Sequence, residues 1–153
     1  AGLNALPDYI PPYTDWPQLE PDQNHPMILG YFRVLEHEHT STGGNPALMQ
    51  RCPSNPVWVN EQDAEQLGIA DGDAVLVASP WGEVRTSARV TKDIRQGVLA
   101  AAGGFGGKYG LEGDPKFPQY TGFNINMLMP PNLACQWSGT PPFKYIKTRI
   151  QKA

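Results

Sequence analysis

Cysteine is nearly absent from this chain. Cys52 and Cys135 are the only two in 153 residues, too few for the disulfide framework that holds small secreted domains together. They are either two thiols or one bridge, so the redox compartment stays open, cytoplasm and periplasm alike. Histidine is as scarce, with three residues at 25, 37 and 39, short of the four ligands of a closed zinc site. An excess of one charge is also lacking. Twelve Lys and Arg against fifteen Asp and Glu leave a formal net charge of −3, which gives no basic surface for nucleic acid or an anionic membrane. No apolar run approaches the ~18 residues of a spanning helix, so no direct membrane insertion is expected. No signal-peptide pattern opens the chain, and Ala1 in place of Met is expected of a processed chain or of one cut from something larger.

What the chain has in quantity is punctuation. Sixteen Pro and sixteen Gly exceed the usual ~5% and ~7%, which suits short strands, tight turns and irregular tails better than a helical bundle. A hydrophobic content of 40% is enough for one domain with its own core. Residues 1–26 are Pro-rich, with apolar points at Leu3, Leu6, Tyr9, Ile10, Tyr13 and Trp16. They read as an extended arm or linker that lays its aromatics on another surface. Residues 27–153 read as one mainly-β domain with short helices. Strands are expected at 27–32, 57–59, 74–79, 83–90 and 97–101, with 143–150 alternating like an edge strand. Asn60 is a good N-cap for a short helix ending at Leu67, Asp63 stands at N3 in a capping-box-like place, and Gly68 is a natural stop. Asp71-Gly72-Asp73 is turn chemistry rather than a catalytic carboxylate pair. A tight turn at Trp81-Gly82 joins two strands into a hairpin. Trp58 and Trp81 read as core or rim packing, and Glu65, Lys92 and Arg95 as a solvated face.

Polar chemistry gathers in three places. His37, His39, Thr40, Ser41 and Thr42 lead into Gly43-Gly44-Asn45, putting small donors and permissive backbone in one loop. Such a loop suits a pyrophosphate, since N–H groups and hydroxyls donate to its oxygens. The plainer reading is a loop edge with solvated or capping histidines. His37 and His39 alternate, so on a strand both imidazoles would face one ion, but two ligands do not make a metal site, and none is assigned. Gly103-Gly104-Phe105-Gly106-Gly107-Lys108 invites a phosphate-loop reading. It fails because Ala102 and Tyr109 stand where that motif needs Gly and Ser or Thr; a flexible bend after the strand at 97–101 is the better account. Asn124 and Asn126, if extended, face the same way, and an amide that both donates and accepts suits the edge of a polar ring. Lys144 offers a point charge for phosphate.

The Leu67-Gly68-Ile69-x-Asp71-Gly72-Asp73-x-Val75 box resembles that of double-psi β-barrels. Four blocks in order are similar to the C-terminal dinucleotide-binding domain of the molybdopterin oxidoreductases, the dimethyl sulfoxide reductase family. They are Arg33 to Thr40, Asn60 to Asp73, Arg89-Val90-Thr91 with Gly97-Val98, and Asn124-Ile125-Asn126 with Pro142-Phe143-Lys144. Residues 3–17 are similar to the linker that precedes this domain.

The resemblance covers nearly the whole chain and implies a double-psi β-barrel with extended, irregular N- and C-terminal arms. It implies as well that the chain binds and orients the molybdopterin guanine dinucleotide of a molybdenum or tungsten enzyme, a bis-dinucleotide cofactor whose metal is ligated elsewhere. Cofactor contacts are then expected from Arg33, Glu36, His37, His39, Thr40, Ser41, Thr42, Asn124, Asn126, Phe143 and Lys144, with no catalytic residue in this chain. The isolated chain is expected to be inactive without the remaining domains of the catalytic subunit, and an iron–sulfur electron-transfer subunit is the expected partner. Asn45 to Met49 and Ser79 to Gly82 look closer to the thiosulfate, polysulfide and arsenate reductase branch. The competing class is a non-catalytic double-psi barrel that recruits a partner. A self-processing pyruvoyl enzyme is excluded because the chain has no Gly-Ser dipeptide.

Overall fold

Alternation of inward and outward side chains turns six segments of the described residues into strands. The computed structural model describes residues 9–11, 14, 16–106, 122–135 and 138–153. The strands are β1 (Met27–Phe32), β2 (Val57–Asn60), β3 (Ala74–Ser79), β4 (Gly82–Thr91), β5 (Val98–Ala102) and β6 (Ile146–Lys152). Two short helices, α1 (Pro46–Arg51) and α2 (Glu61–Leu67), join them. Around the barrel the order is β1-β5-β2-β4-β3-β6, and β6 returns to β1 to close it. β1 runs parallel to β5 and β2 parallel to β4, while the remaining neighbours are antiparallel. These two interleaved parallel pairs in a closed six-stranded barrel are the double-psi arrangement, and the protein is mainly β with short helices.

Leu29, Val57, Val59, Val75, Val77, Leu99 and Ile146 are fully buried inside the barrel. Burial of each such side chain contributes about 1.5–3 kcal/mol. α2 starts where Asn60 caps it, its side-chain oxygen accepting from the Gln62 N–H at 2.9 Å. It stops at Gly68, whose φ of +66° is the left-handed conformation expected after a helix. Asp63 does not complete a capping box. Its carboxylate reaches across the fold and accepts from the Gly97 N–H at 2.7 Å, so it ties α2 to the start of β5. The Asp-Gly-Asp turn is structural, with Asp71 accepting from Val90 N–H and Asp73 from Ala70 N–H, both at 2.8 Å. The Lys152 ammonium at 2.8 Å holds the Asp73 carboxyl below its ordinary range.

Several expectations are corrected. The C-terminal alternation is not an edge strand: β6 starts at Ile146 and pairs with β1 on one side and β3 on the other, because a closed barrel has no edge. His37 and His39 do not lie on a strand. β1 ends at Phe32, and His39 sits in a turn at φ +49°, so the two imidazoles do not share a strand face. Asn124 and Asn126 are not both extended, since Ile125–Leu128 is a 3-10 turn with Asn124 as its N-cap. α1 has no counterpart among the sequence expectations, although Asn45 followed by Pro46 is a good cap and first position. The Asn45 side chain accepts from the N–H groups of Ala47 and Leu48.

Cys52 and Cys135 are not bridged to each other. Burial, assisted by the nearby Glu36 carboxylate, pushes the Cys52 thiol up. Among the described residues no helix is long and apolar enough to cross a membrane. Leu3, Leu6 and Tyr13, and the stretch from Gly107 and Lys108 onward to residue 121, lie outside the described residues.

Candidate functional site

The parallel pair β1 and β5 releases its two chains side by side. Phe32 pairs with Ala102 at the end of the ladder, and Gly103 N–H continues it by donating to the Phe32 carbonyl at 3.0 Å. Two loops therefore leave from one spot, residues 33–45 and residues 103–106. Gly104 brings them together. Its φ is +92°, and a Cβ there would run into the backbone carbonyl of His39, so only glycine allows the two loops to touch.

A third segment is clamped beside them by Asn55. This buried side chain donates to the carbonyls of Ala102 at 2.5 Å and Phe123 at 2.9 Å, and accepts from the Phe123 N–H at 2.6 Å. With Phe123 held, Asn124 caps the 3-10 turn by accepting from the Asn126 N–H at 3.1 Å. The far end of the turn is fixed by the Ser79 hydroxyl, which donates to the Leu128 carbonyl at 2.8 Å. Asn126 is thereby left exposed at the barrel mouth. The fourth segment is the turn at Phe143 and Lys144 just before β6. Phe143 packs edge-on to Tyr31 of β1, with ring centroids 5.7 Å apart, and the Lys144 ammonium stands 5.7 Å from the same ring's centroid.

Together these segments line an open cleft of about 210 Å³. His39 and Thr40 enter it from the first loop, Gly103 and Gly104 from the second, Asn126 from the 3-10 turn and Phe143 from the last. Tyr31 forms part of the floor. Next to it, sharing Tyr31 and Phe143, is a more apolar cleft of about 390 Å³ with Lys144 and Trp16 in its walls. Although the Glu38 carboxylate stands 3.7 Å from His39 Nε2, among the described residues no Asp or Glu lines the smaller cleft. Its polar groups are an imidazole, a hydroxyl and an amide with Lys144 alongside, a set rich in donors and suited to an anionic or carbonyl-bearing ligand.

The expected site residues divide accordingly. His39, Thr40, Asn126 and Phe143 converge on the cleft, and Lys144 stands at its side. His37 is buried instead, its Nε2 2.9 Å from the Cys52 carbonyl and its Nδ1 3.1 Å from the Thr42 hydroxyl. Since a carbonyl only accepts, Nε2 carries a proton there. Thr42 also accepts from the Glu38 N–H at 3.1 Å, so His37 and Thr42 brace the loop from within. Asn124 is taken up by its capping role and a weak contact to the Gly106 carbonyl. Arg33 and Ser41 are exposed and Glu36 is half-buried, and none of the three lines the cleft. Sequence reasoning gave the Gly103-Gly104 pair no role and missed Asn55. The paired glycines directly after β5 were the available signal, whereas Asn55 carried none. Among the described residues no three or more His, Cys, Asp and Glu side chains gather as a metal site.

Comparison with known proteins places this geometry. Residues 27–147 match the family model described as "Molydopterin dinucleotide binding domain". The "Probable dimethyl sulfoxide reductase chain YnfF" of Escherichia coli strain K12 is 35% identical over 113 residues, 73% of this chain and 14% of that protein. The periplasmic nitrate reductase of Desulfovibrio desulfuricans is 39% identical over 83 residues, 53% of this chain and 11% of that protein. The chain thus spans only about 14% or less of the length of these relatives. The solved structure of acetylene hydratase from Pelobacter acetylenicus superposes with a TM-score of 0.70 at 19% identity, over 97% of this chain and 21% of that one; it shares the fold.

Proposed function

Because the chain belongs to the molydopterin dinucleotide binding domain family, we propose that its barrel mouth holds a molybdopterin guanine dinucleotide through His39, Thr40, Asn126, Phe143 and Lys144. The observation that carries this reading is convergence. Residues from positions 39–40, 103–104, 126 and 143, far apart in sequence, meet in one cleft, and they are the type of donors such a ligand needs.

The residues fit the group. The cleft's polar groups can donate beside a lysine, and at Gly103 and Gly104 its wall carries no side chain. Lys144 and the Thr40 hydroxyl are placed to neutralise and hydrogen-bond a phosphate, the Asn126 amide to read a ring edge, and Tyr31 with Phe143 to pack on an apolar face. When bound, the cofactor supplies the redox chemistry, and the chain binds, orients and shields it. His37 and Thr42 serve by shaping the loop, and Asn124 by capping the turn that presents Asn126. Arg33, Glu36 and Ser41 are proposed contacts for a part of the cofactor that extends beyond the cleft.

The rest of the protein follows as proposal. The domain closes over a bis-dinucleotide molybdenum or tungsten cofactor whose metal is ligated by other domains of the catalytic subunit, and an iron–sulfur subunit exchanges electrons with it. Alone, the chain has no turnover. Its substrate is proposed to be thiosulfate, polysulfide or arsenate, on the strings at 45–49 and 79–82. Both strings also have structural duties, since Asn45 caps α1 and Ser79 anchors the 3-10 turn. The competing reading is a non-catalytic barrel that recruits a partner. To separate the two, the chain is purified with the remaining domains, oxidised, and assayed for released pterin fluorescence. Pterin is expected, and Asn126→Ala or Lys144→Ala is expected to lower retention roughly tenfold, the scale of one hydrogen bond to a charged group. A wild-type protein without pterin would leave the recruiting barrel as the better account.

A further inference from the structure

The family match begins at Met27, and residues 16–25 lie in front of it, in the stretch that reads as a linker. They are nevertheless tied to the barrel by Asp22, and Leu19 among them is fully buried. Pro17–Leu19 is a 3-10 turn closed by the Leu19 N–H donating to the Trp16 carbonyl at 2.9 Å, and it drives Leu19 into full burial. A second turn follows, in which Asp22 and His25 exchange backbone hydrogen bonds at 3.2 Å. One carboxylate oxygen of Asp22 accepts from the N–H groups of Asn24 and His25, both at 2.9 Å, and the other meets the Lys147 ammonium at 2.8 Å. Lys147 is in β6, three residues after Lys144, and its side chain is largely covered. Trp16, at the other end of the segment, is half-buried and stands in the wall of the apolar cleft with Tyr31, Phe143 and Lys144. The segment thus flanks the Phe143-Lys144 turn, with Trp16 lining the same cleft and Asp22 paired to Lys147 three residues further on.

We propose that residues 16–25 form a strap that positions the Phe143-Lys144 turn, with Leu19 as its anchor, the Asp22–Lys147 pair as its latch and Trp16 as the wall that closes the cleft. The relevance of that turn to a dinucleotide rests on the function proposed above; the mechanical coupling does not. A turn held this way keeps its cation and its ring in place before the ligand arrives, which lowers the ordering cost of binding. Trp16, Asp22 and Lys147 are accordingly positioning residues.

Hydrogen exchange on the full ligand-free chain tests the strap. Leu19→Ala removes the anchor, and Asp22→Asn, a surface change that leaves the core intact, weakens the latch alone. Release of the strap is expected to speed exchange of the Phe143, Lys144 and Tyr145 amides, about tenfold in Leu19→Ala and about threefold in Asp22→Asn, while amides of β3 and β4 keep their rates. Faster exchange at 16–25 with unchanged rates at 143–145 in Asp22→Asn would overturn the strap, whatever the anchor variant does. The same variants in the protein carrying the remaining domains separate the two ideas. Coupled exchange with no pterin in the wild type sustains the strap and removes the proposed ligand. Coupled exchange with pterin retention reduced in Asp22→Asn sustains both.

Discussion

Asn55 sits buried between the end of β5 and Phe123, with its donor and acceptor groups all engaged by backbone. Replacing it by Ala strands the Phe123 N–H and two carbonyls in the interior, where each unsatisfied group costs about 1–3 kcal/mol. Asn55→Ala is therefore expected to lower unfolding stability by about 3 kcal/mol in urea denaturation and to loosen the segment that presents Asn126. A loss below about 0.5 kcal/mol would show that Asn55 is not the clamp. Nothing near Asn55 in sequence announces this role, because its partners lie 47 and 68 residues away. His37 illustrates the opposite limit. Its polarity draws notice in the sequence, yet its two nitrogens turn inward to Cys52 and Thr42, and residue type alone does not say which way an imidazole points. His39, two residues on, turns outward to the cleft.

At the scale of elements the strands are legible wherever alternation meets a turn signal. β1 and β3 fall on the expected residues, and α2 lies between its cap at Asn60 and its stop at Gly68. The short 3-10 turn at Ile125–Leu128 is not legible, because four residues hold too few positions for a period. β6 resembles an edge in sequence because closure depends on pairings with strands more than a hundred and about seventy residues earlier. The link between β6 and the segment before β1 has a pH signature. Asp22 is held down to about 2, first by its hydrogen bond from Lys147 and then by the backbone N–H of His25. A carboxyl held low in the folded state contributes stability above its ordinary pKa of 3.8 and loses it as pH falls through the held value. The stability difference between wild type and Asp22→Asn is thus expected to be constant above about pH 4 and to vanish between about pH 4 and 2. Thermal unfolding of both proteins across that range measures it, and a difference that persists at the acid end would contradict the latch geometry.

On the scale of the whole molecule, a closed barrel supplies rigidity and one end of it supplies the site. The stretch from β2 to β5 identifies the fold but contributes only Gly103 and Gly104, just past its end, to the cleft; the cleft-lining side chains come from segments on either side. That division is physical. Barrel strands must alternate and pair, which leaves a strong pattern, whereas loops need only converge in space, which leaves almost none. Family resemblance bridges the gap by drawing attention to residues 37–42, 124–126 and 143–144, and the structure sorts them into those that reach the cleft and those that hold it in shape. Contact between the dinucleotide and the cleft formed by His39, Thr40, Gly104, Asn126 and Phe143 is what the proposed function stands on. Hydrogen exchange on the protein carrying the remaining domains, compared with and without bound cofactor, probes that contact without relying on turnover. Protection is predicted at the amides of residues 39–40, 103–104 and 126 and at 143–144, with the α2 amides unchanged. Equal exchange at those positions in the two states would show that the cofactor is held elsewhere.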